Sequence, residues 1–405
     1  MLKIGVCGAG SFASSFIPLF QAHPLVRDVV IAEVFADRRA EQAARFGISE
    51  TYASLDELCD SDVDAIALFT QRWLHGPQAV QALRAGKHVY SAVPTGVTVA
   101  ELAELVRTVE ETGLMYMLGE TSYYYPCSVF CRQKWQAGEF GHFVYGEGEY
   151  LHDMGHGFYE AYQHSGGEQW KQTAGFPPMF YPTHSTSMIV GVTGASLTQV
   201  SCLGYRDRAD DGIFREGGNL WNNPFSNESA LFRTTDGGMC RINEFRRVGH
   251  RGRSSVRTSI FGTLGCYEEQ ANAQVWITHA GDNIDLTDLL TPVRLSPEDI
   301  EARKKEGVQA DFFSGVAPIH NRLRLPKSFQ GLHNGHLGSH QFLVDDFCRA
   351  ADSGRLPPNH VWQAARYAAP GIMAHQSALQ EGKLLSIPSF GDPPVGAALL
   401  EDMLY

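Results

Sequence analysis

The chain has 405 residues, of which 43% are hydrophobic and 19% charged. This points to two or three folded domains and excludes a disordered chain. Lys and Arg total 33 against 45 Asp and Glu, a net charge of −12, which argues against nucleic-acid backbones and anionic membrane surfaces as partners.

The first 120 residues alternate between two periodicities. Residues 2–7 form a short apolar run ending at a glycine turn, and 11–22 have helical spacing. A second strand is expected over 28–35 and a helix over 38–46 that stops at Gly47. Ser54 with Glu57, and Thr98 with Glu101, are capping boxes that open helices. Further strands are expected at 64–69, 87–93 and 114–120, with helices at 77–85 and from Thr98 to Gly113. Continuous apolar strands alternating with helices imply a parallel sheet covered on both faces, which binds ligands at the carboxyl ends of its strands.

After residue 121 the pattern changes. Alternating runs at 143–151, 198–205, 228–246, 255–269 and 273–279 predict a mostly antiparallel sheet, with a hairpin turn at Asp236-Gly237-Gly238. Residues 153–182 and 282–335 read as long loops, and helices are expected at 338–352 and 360–381. The fold class is therefore α/β, divided into a dinucleotide-binding domain over 1–121 and a second α/β domain with a large open sheet over 122–405.

Gly8-Ala9-Gly10-Ser11-Phe12-Ala13 fits G-x-G-x-x-G/A. The first glycine permits the tight turn, the second lets backbone approach a pyrophosphate, and the small third position lets the helix pack on the strand. The motif follows a strand and opens a helix, the context that gives it meaning. Asp37, 24 residues past Ala13, is read as the acid that meets the adenosine ribose. Arg38 and Arg39 follow and would instead hold a 2′-phosphate. NAD is favoured, with NADP the alternative.

The loop GAGSFA, with VDAIALFTQRWLH at 63–75, ALRAGKHVYSAVPTG at 82–96 and SIFGTLG at 259–265, resembles the Gfo/Idh/MocA oxidoreductases over nearly the whole chain. The resemblance implies a Rossmann domain followed by an open-sheet domain through which subunits pair as a dimer or tetramer. It implies hydride transfer between a nicotinamide and a secondary hydroxyl of a sugar or cyclitol. It places Ser11, Phe12, Thr70, His75, Val93 and Pro94 on the cofactor side with the glycines. The family usually has Glu-Lys-Pro where this chain has Ala92-Val93-Pro94, and an aspartate where it has Phe180, so another group must take the hydroxyl proton.

Tyr181-Pro182-Thr183-His184 supplies a phenol and an imidazole within a few residues. It resembles the motif of the NAD-dependent glycosidase branch, the α-N-acetylgalactosaminidases and their relatives. GETSYYYP at 119–126, GEYLHD at 148–153 and NGHLG at 334–338 are similar to that branch too. The likeness implies Tyr181 and His184 as catalytic bases, with Glu120, Tyr150, His152 and His336 orienting sugar hydroxyls. It also implies a redox-neutral alternative: transient oxidation at carbon 3, elimination, addition of water and return of the hydride. A non-catalytic dinucleotide sensor is the third reading.

His152-Asp153-x-x-His156 has loose metal-ligand spacing, but a polar active-site loop is the preferred reading and no metal is expected. Arg246, Arg247, Arg251, Arg253 and Arg257 form a basic run that reads as a solvated loop or an anion site. The eight cysteines make no C-x-x-C pair. No apolar run nears the roughly 20 residues that span a bilayer, and the N-terminus shows no signal-peptide pattern. The expectation is a cytoplasmic protein with reduced thiols.

Overall fold

A computed structural model describes residues 1–251, 254–292, 296–305 and 315–400. The chain forms two compact units. The first comprises Met1–Phe130, Asp288–Ala365 and Phe390–Tyr405; the second comprises Cys131–Thr287 and Arg366–Ser389. Both units are discontinuous in sequence, whereas a single division at residue 121 was expected. The chain returns to the first unit after the antiparallel strands: the helix Gly335–Ser353 buries Phe342, Val344 and Phe347 in the same core as Ile4, Val6 and Phe20.

The first unit contains an all-parallel six-stranded sheet. Its strands are β1 (Leu2–Cys7), β2 (Val26–Ala32), β3 (Thr51–Tyr52), β4 (Ala65–Leu68), β5 (His88–Ser91) and β6 (Tyr116–Leu118), in the order β3-β2-β1-β4-β5-β6. That is the doubly wound Rossmann order. Every residue of β1 and β4 is buried, as expected for strands covered on both faces. The capping boxes form as read: Ser54 and Thr98 accept from the backbone N–H of Glu57 and Glu101, and each glutamate reaches back to the backbone before the cap. Gly47 and Gly113 end their helices in the left-handed conformation.

β2 ends at Ala32, three residues before the expected end. Glu33 turns inward there, and its carboxylate accepts from the backbone N–H of Phe35 at 3.0 Å. The chain leaves the sheet at this turn, so Val34 and Phe35 stand 70% and 54% exposed despite their apolar side chains.

The second unit holds a nine-stranded sheet in the order β14-β13-β12-β11-β7-β10-β9-β8-β15. The strands are β7 (Phe143–Leu151), β8 (Leu197–Arg206), β9 (Phe225–Thr234), β10 (Met239–Phe245), β11 (Val256–Gly262), β12 (Gly265–Glu269), β13 (Gln274–Thr278), β14 (Asn283–Asp285) and β15 (Leu385–Ser386). Only β7 and β10 pair in parallel; the remaining pairings are antiparallel. The helix Thr183–Thr193 lies on the inner face. Gly148 of β7 makes this possible, because a Cβ there would stand 2.5 Å from the Ser185 carbonyl oxygen.

Residues 153–182 are not one long loop. They carry a π-turn at Met154–Phe158 and short helices at Tyr159–Gly166 and Trp170–Ala174. These segments bury only Met154, Tyr162 and Ala174, so they present no apolar stripe for a sequence reading to find. The stretch 282–335 likewise holds β14 and helices at Thr287–Leu290 and Pro297–Lys305. All eight cysteines are free thiols, seven of them buried. Among the described residues no helix is long and apolar enough to cross a membrane.

Candidate functional site

The loops after five strands of the six-stranded sheet carry polar or glycine residues at its carboxyl edge. After β1, Gly8 has φ +87°, and a Cβ there would lie 2.8 Å from the Phe69 carbonyl oxygen, so only glycine fits. A Cβ on Gly10 would meet nothing within 4 Å. Bare backbone beside open space is the cradle that a pyrophosphate needs, and fully buried Ala13 packs beneath it. Ser11 is exposed and Phe12 half-buried.

After β2 the acid at the strand end is Glu33, 20 residues past Ala13, not Asp37. Glu33 is 5% exposed; its Oε2 accepts from the Ala9 backbone N–H of the glycine loop at 3.0 Å. Asp37 instead stands exposed in the first turn of the helix Ala36–Phe46. Arg38 lies 3.7 Å from Glu33 Oε2 and packs over the Phe35 ring, and Arg39 donates to the Glu33 carbonyl. Glu33 has the strand-end position and the spacing of about 20 residues that an acid in this fold usually has.

After β4 and β5 come Thr70, His75, Val93 and Pro94. Thr70 bonds Gln78 through its hydroxyl, and its carbonyl oxygen faces His75 Nε2 at 3.1 Å. His75 Nδ1 lies 3.1 Å from the Pro94 carbonyl oxygen. Burial lowers the His75 pKa to about 4, against the pull of these carbonyls. A neutral imidazole donates one proton, so it bonds only one of the two oxygens at a time. Val93 is buried and offers no proton-transfer group. After β6, fully buried Glu120 accepts from the Ser122 N–H at 2.9 Å.

His336 belongs to the first unit. It packs edge-on against Phe12 of the glycine loop, 5.5 Å between ring centroids, and its Nδ1 lies 2.8 Å from His340 Nε2. His336, Leu337 and Gly338 have φ of +47°, +55° and +89°. Two adjacent non-glycine residues in the left-handed region store backbone strain, which concentrates at functional sites. His340 is fully buried, and burial holds its pKa well below the ordinary imidazole value.

In the second unit four of the expected residues meet on one inner face. Tyr181 and His184 rings stand 5.2 Å apart, edge to face, and Tyr150 lies 5.3 Å from His184 and 6.1 Å from Tyr181. His152 packs 5.4 Å from Tyr150 and stacks on Phe158 at 4.2 Å. His184 is 5% exposed and sits in the first turn of the helix Thr183–Thr193 rather than in a loop. Arg246 lies over the Tyr150 ring, 4.6 Å from its centroid.

Asp153 is fully engaged, Oδ1 with the Gly155 N–H and Oδ2 with the Val248 N–H. Among the described residues no group of three His, Cys, Asp or Glu is placed to hold a metal ion. Three arginines of the basic run are engaged in ion pairs. Arg246 pairs with Glu244, Arg247 with Asp207 and Asp211, and Arg257 with Glu149. Arg253 lies outside the described residues.

A parallel sheet in this order with a glycine cradle and a strand-end acid defines a dinucleotide-binding Rossmann protein. Residues 2–120 match the family described as "Oxidoreductase family, NAD-binding Rossmann fold". A glycosyl hydrolase family 109 protein of Saccharopolyspora erythraea is 27% identical over 310 residues, 69% of this chain and 66% of that protein. A 4-carboxy-2-hydroxymuconate-6-semialdehyde dehydrogenase of Sphingobium sp. is 32% identical over 139 residues, 34% of this chain and 44% of that protein. The chain thus spans just under two thirds of the first relative's length and less than half of the second's. The fold is also that of a levoglucosan dehydrogenase solved with NADH and levoglucosan, at TM-score 0.71 and 18% identity, covering 96% of this chain and 100% of that one.

Proposed function

We propose that the protein is an NAD-dependent enzyme that transfers hydride between the nicotinamide and a secondary hydroxyl of a sugar or cyclitol. The observation that carries this reading is the carboxyl edge of the six-stranded sheet, where a glycine cradle and a buried acid meet. Gly8, Gly10 and Ala13 would admit the pyrophosphate, and Glu33 would accept from the adenosine ribose. Glu33 also favours NAD over NADP, because its carboxylate repels a 2′-phosphate. Thr70, His75, Val93 and Pro94 would line the nicotinamide side.

When bound, the nicotinamide supplies the hydride acceptor. The remaining work falls to this chain. With Val93 where a lysine is usual, Tyr181 and His184 take the hydroxyl proton. Tyr150 and His152 orient the sugar, and Glu120 and His336 are assigned to ligand hydroxyls. The rings of Tyr150, Tyr181 and His184 suit the apolar face of a sugar.

A second reading, a redox-neutral NAD-dependent glycosidase, is favoured by two observations. The match to the family 109 protein covers twice as much of this chain as the match to the muconate-semialdehyde dehydrogenase. The Tyr181-to-His184 motif is the other. Incubation with NAD and a panel of aryl glycosides and free sugars, following phenol and NADH together, separates the readings. NADH rising in step with sugar supports the dehydrogenase. Phenol release with no NADH build-up supports the glycosidase. Dinucleotide binding with neither signal leaves only a sensor.

We also infer a homo-oligomer formed through the outer face of the nine-stranded sheet. Leu203, Tyr205, Leu231 and Met239 are exposed there, beside the ion pair between Arg241 and Glu147. The free thiols support a cytoplasmic location.

A further inference from the structure

The inner face of the nine-stranded sheet carries two carboxylates where a buried sheet usually carries apolar side chains. Glu228 of β9 and Glu244 of β10 are directly opposed, and Tyr150 of β7 is the next residue in the same row. Both glutamates are fully buried. Opposed side chains on neighbouring strands are about 5 Å apart at Cβ, so two like charges here are costly unless each is separately compensated.

Each is. Glu228 accepts from the Met179 N–H at 2.9 Å and faces His375 Nδ1 at 2.7 Å. Glu244 Oε1 accepts from the Ser185 hydroxyl at 2.6 Å, and Oε2 accepts from the Arg246 guanidinium at 3.0 Å. Burial pushes the Glu244 carboxyl up to about 8, with Arg246 and Ser185 opposing that rise. Arg246 is itself 5% exposed; it also donates to the Phe245 carbonyl at 3.1 Å and the Tyr150 carbonyl at 3.4 Å.

These contacts close a ring. His184 is joined through its peptide to Ser185, Ser185 to Glu244, and Glu244 to Arg246. Arg246 covers the Tyr150 ring at 4.6 Å, and Tyr150 packs edge-on against His184 at 5.3 Å. A buried carboxyl–guanidinium contact adds little net stability over apolar residues of the same volume. What this pair adds is orientation: it ties the helix bearing His184 to the strand bearing Tyr150, and stacks a cation on the phenol ring.

We propose that Glu244 and Arg246, with Ser185, are positioning residues that hold Tyr150 and His184 in a fixed mutual geometry on the ligand-facing side of the second unit. The catalytic part of this proposal rests on the function proposed above; the geometric part does not.

The test uses the full chain and the variants Arg246→Met, Arg246→Lys, Glu244→Gln and Ser185→Ala. Crystal structures of the wild type and each soluble variant read the geometry without any substrate. The proposal expects the Tyr150 ring to leave its edge-on contact with His184 in Arg246→Met and in Glu244→Gln. Rings unmoved in the folded variants would overturn it, whatever the protein's activity. If Arg246→Met does not fold, Glu244→Gln and Ser185→Ala carry the same comparison.

On whichever sugar of the panel is turned over with NAD, kcat should fall about tenfold in Arg246→Met and Glu244→Gln while KM changes less than about threefold. Arg246→Lys should recover part of the loss, since it keeps the charge opposite Glu244 but not the planar fork. Equal kcat in folded variants would overturn the catalytic part. A wild type inactive on the whole panel would count against the proposed function, and the crystal comparison would still decide the positioning claim.

Discussion

His75 has the clearest pH consequence of any single residue. Its ring is 1% exposed and its pKa is lowered to about 4 from an ordinary 6.5. Above pH 6.5 both folded and unfolded chains hold the ring neutral. As pH falls from there toward 4, the unfolded chain gains a proton that the folded chain refuses, so stability is lost. The full shift corresponds to ~3 kcal/mol. Urea unfolding at pH 7 and pH 4.5 should show a drop in wild type that exceeds the drop in His75→Gln by most of that amount. Equal drops would mean that His75 is not held neutral by the fold. Tyr181 and His184 illustrate how little a residue discloses alone. In sequence they are a phenol and an imidazole just past an irregular stretch. Their meeting with Tyr150 depends on Gly148 admitting a helix onto β7, and the proline-interrupted segment before them carries no helical period that announces that helix.

At the scale of elements, the end of β2 sets which acid lies beside the glycine loop. The strand stops at Ala32 because Glu33 turns inward to the Ala9 and Phe35 N–H groups, and Asp37 is carried into the exposed first turn of the next helix. Glu33→Ala should therefore weaken NAD binding in calorimetric titration by more than about tenfold, with Asp37→Ala within about twofold of wild type. A larger loss in Asp37→Ala would restore the acid first read from sequence. The difference in the strand end has a physical source. Val34 and Phe35 are apolar, so they extend the apparent strand, although both point into solvent. Strands buried on both faces, helices closed by capping boxes and the hairpin at Asp236 were legible, because each leaves a local pattern. Glu244 and Arg246 were not: Arg246 sits within a basic run, and only strand pairing brings Glu244 beside Glu228 and Tyr150.

At the scale of the molecule, a parallel sheet carries the glycine cradle at its carboxyl edge, and a mostly antiparallel sheet gathers Tyr150, Tyr181 and His184 on its inner face. The outer face of that second sheet leaves Leu203 66% and Leu231 51% exposed. Sedimentation should find a dimer or tetramer, and Leu203→Asp with Leu231→Asp should shift it to smaller species. A wild-type monomer at micromolar concentration would contradict the proposed subunit face. The central claim is that Tyr181 and His184 move the proton in an NAD-dependent reaction on a sugar. The most direct measurement is turnover with NAD by wild type, Tyr181→Phe and His184→Ala on the sugar that wild type accepts, with folding checked by thermal unfolding. The account predicts that both folded variants lose more than about tenfold in kcat. Wild-type turnover in both would contradict it.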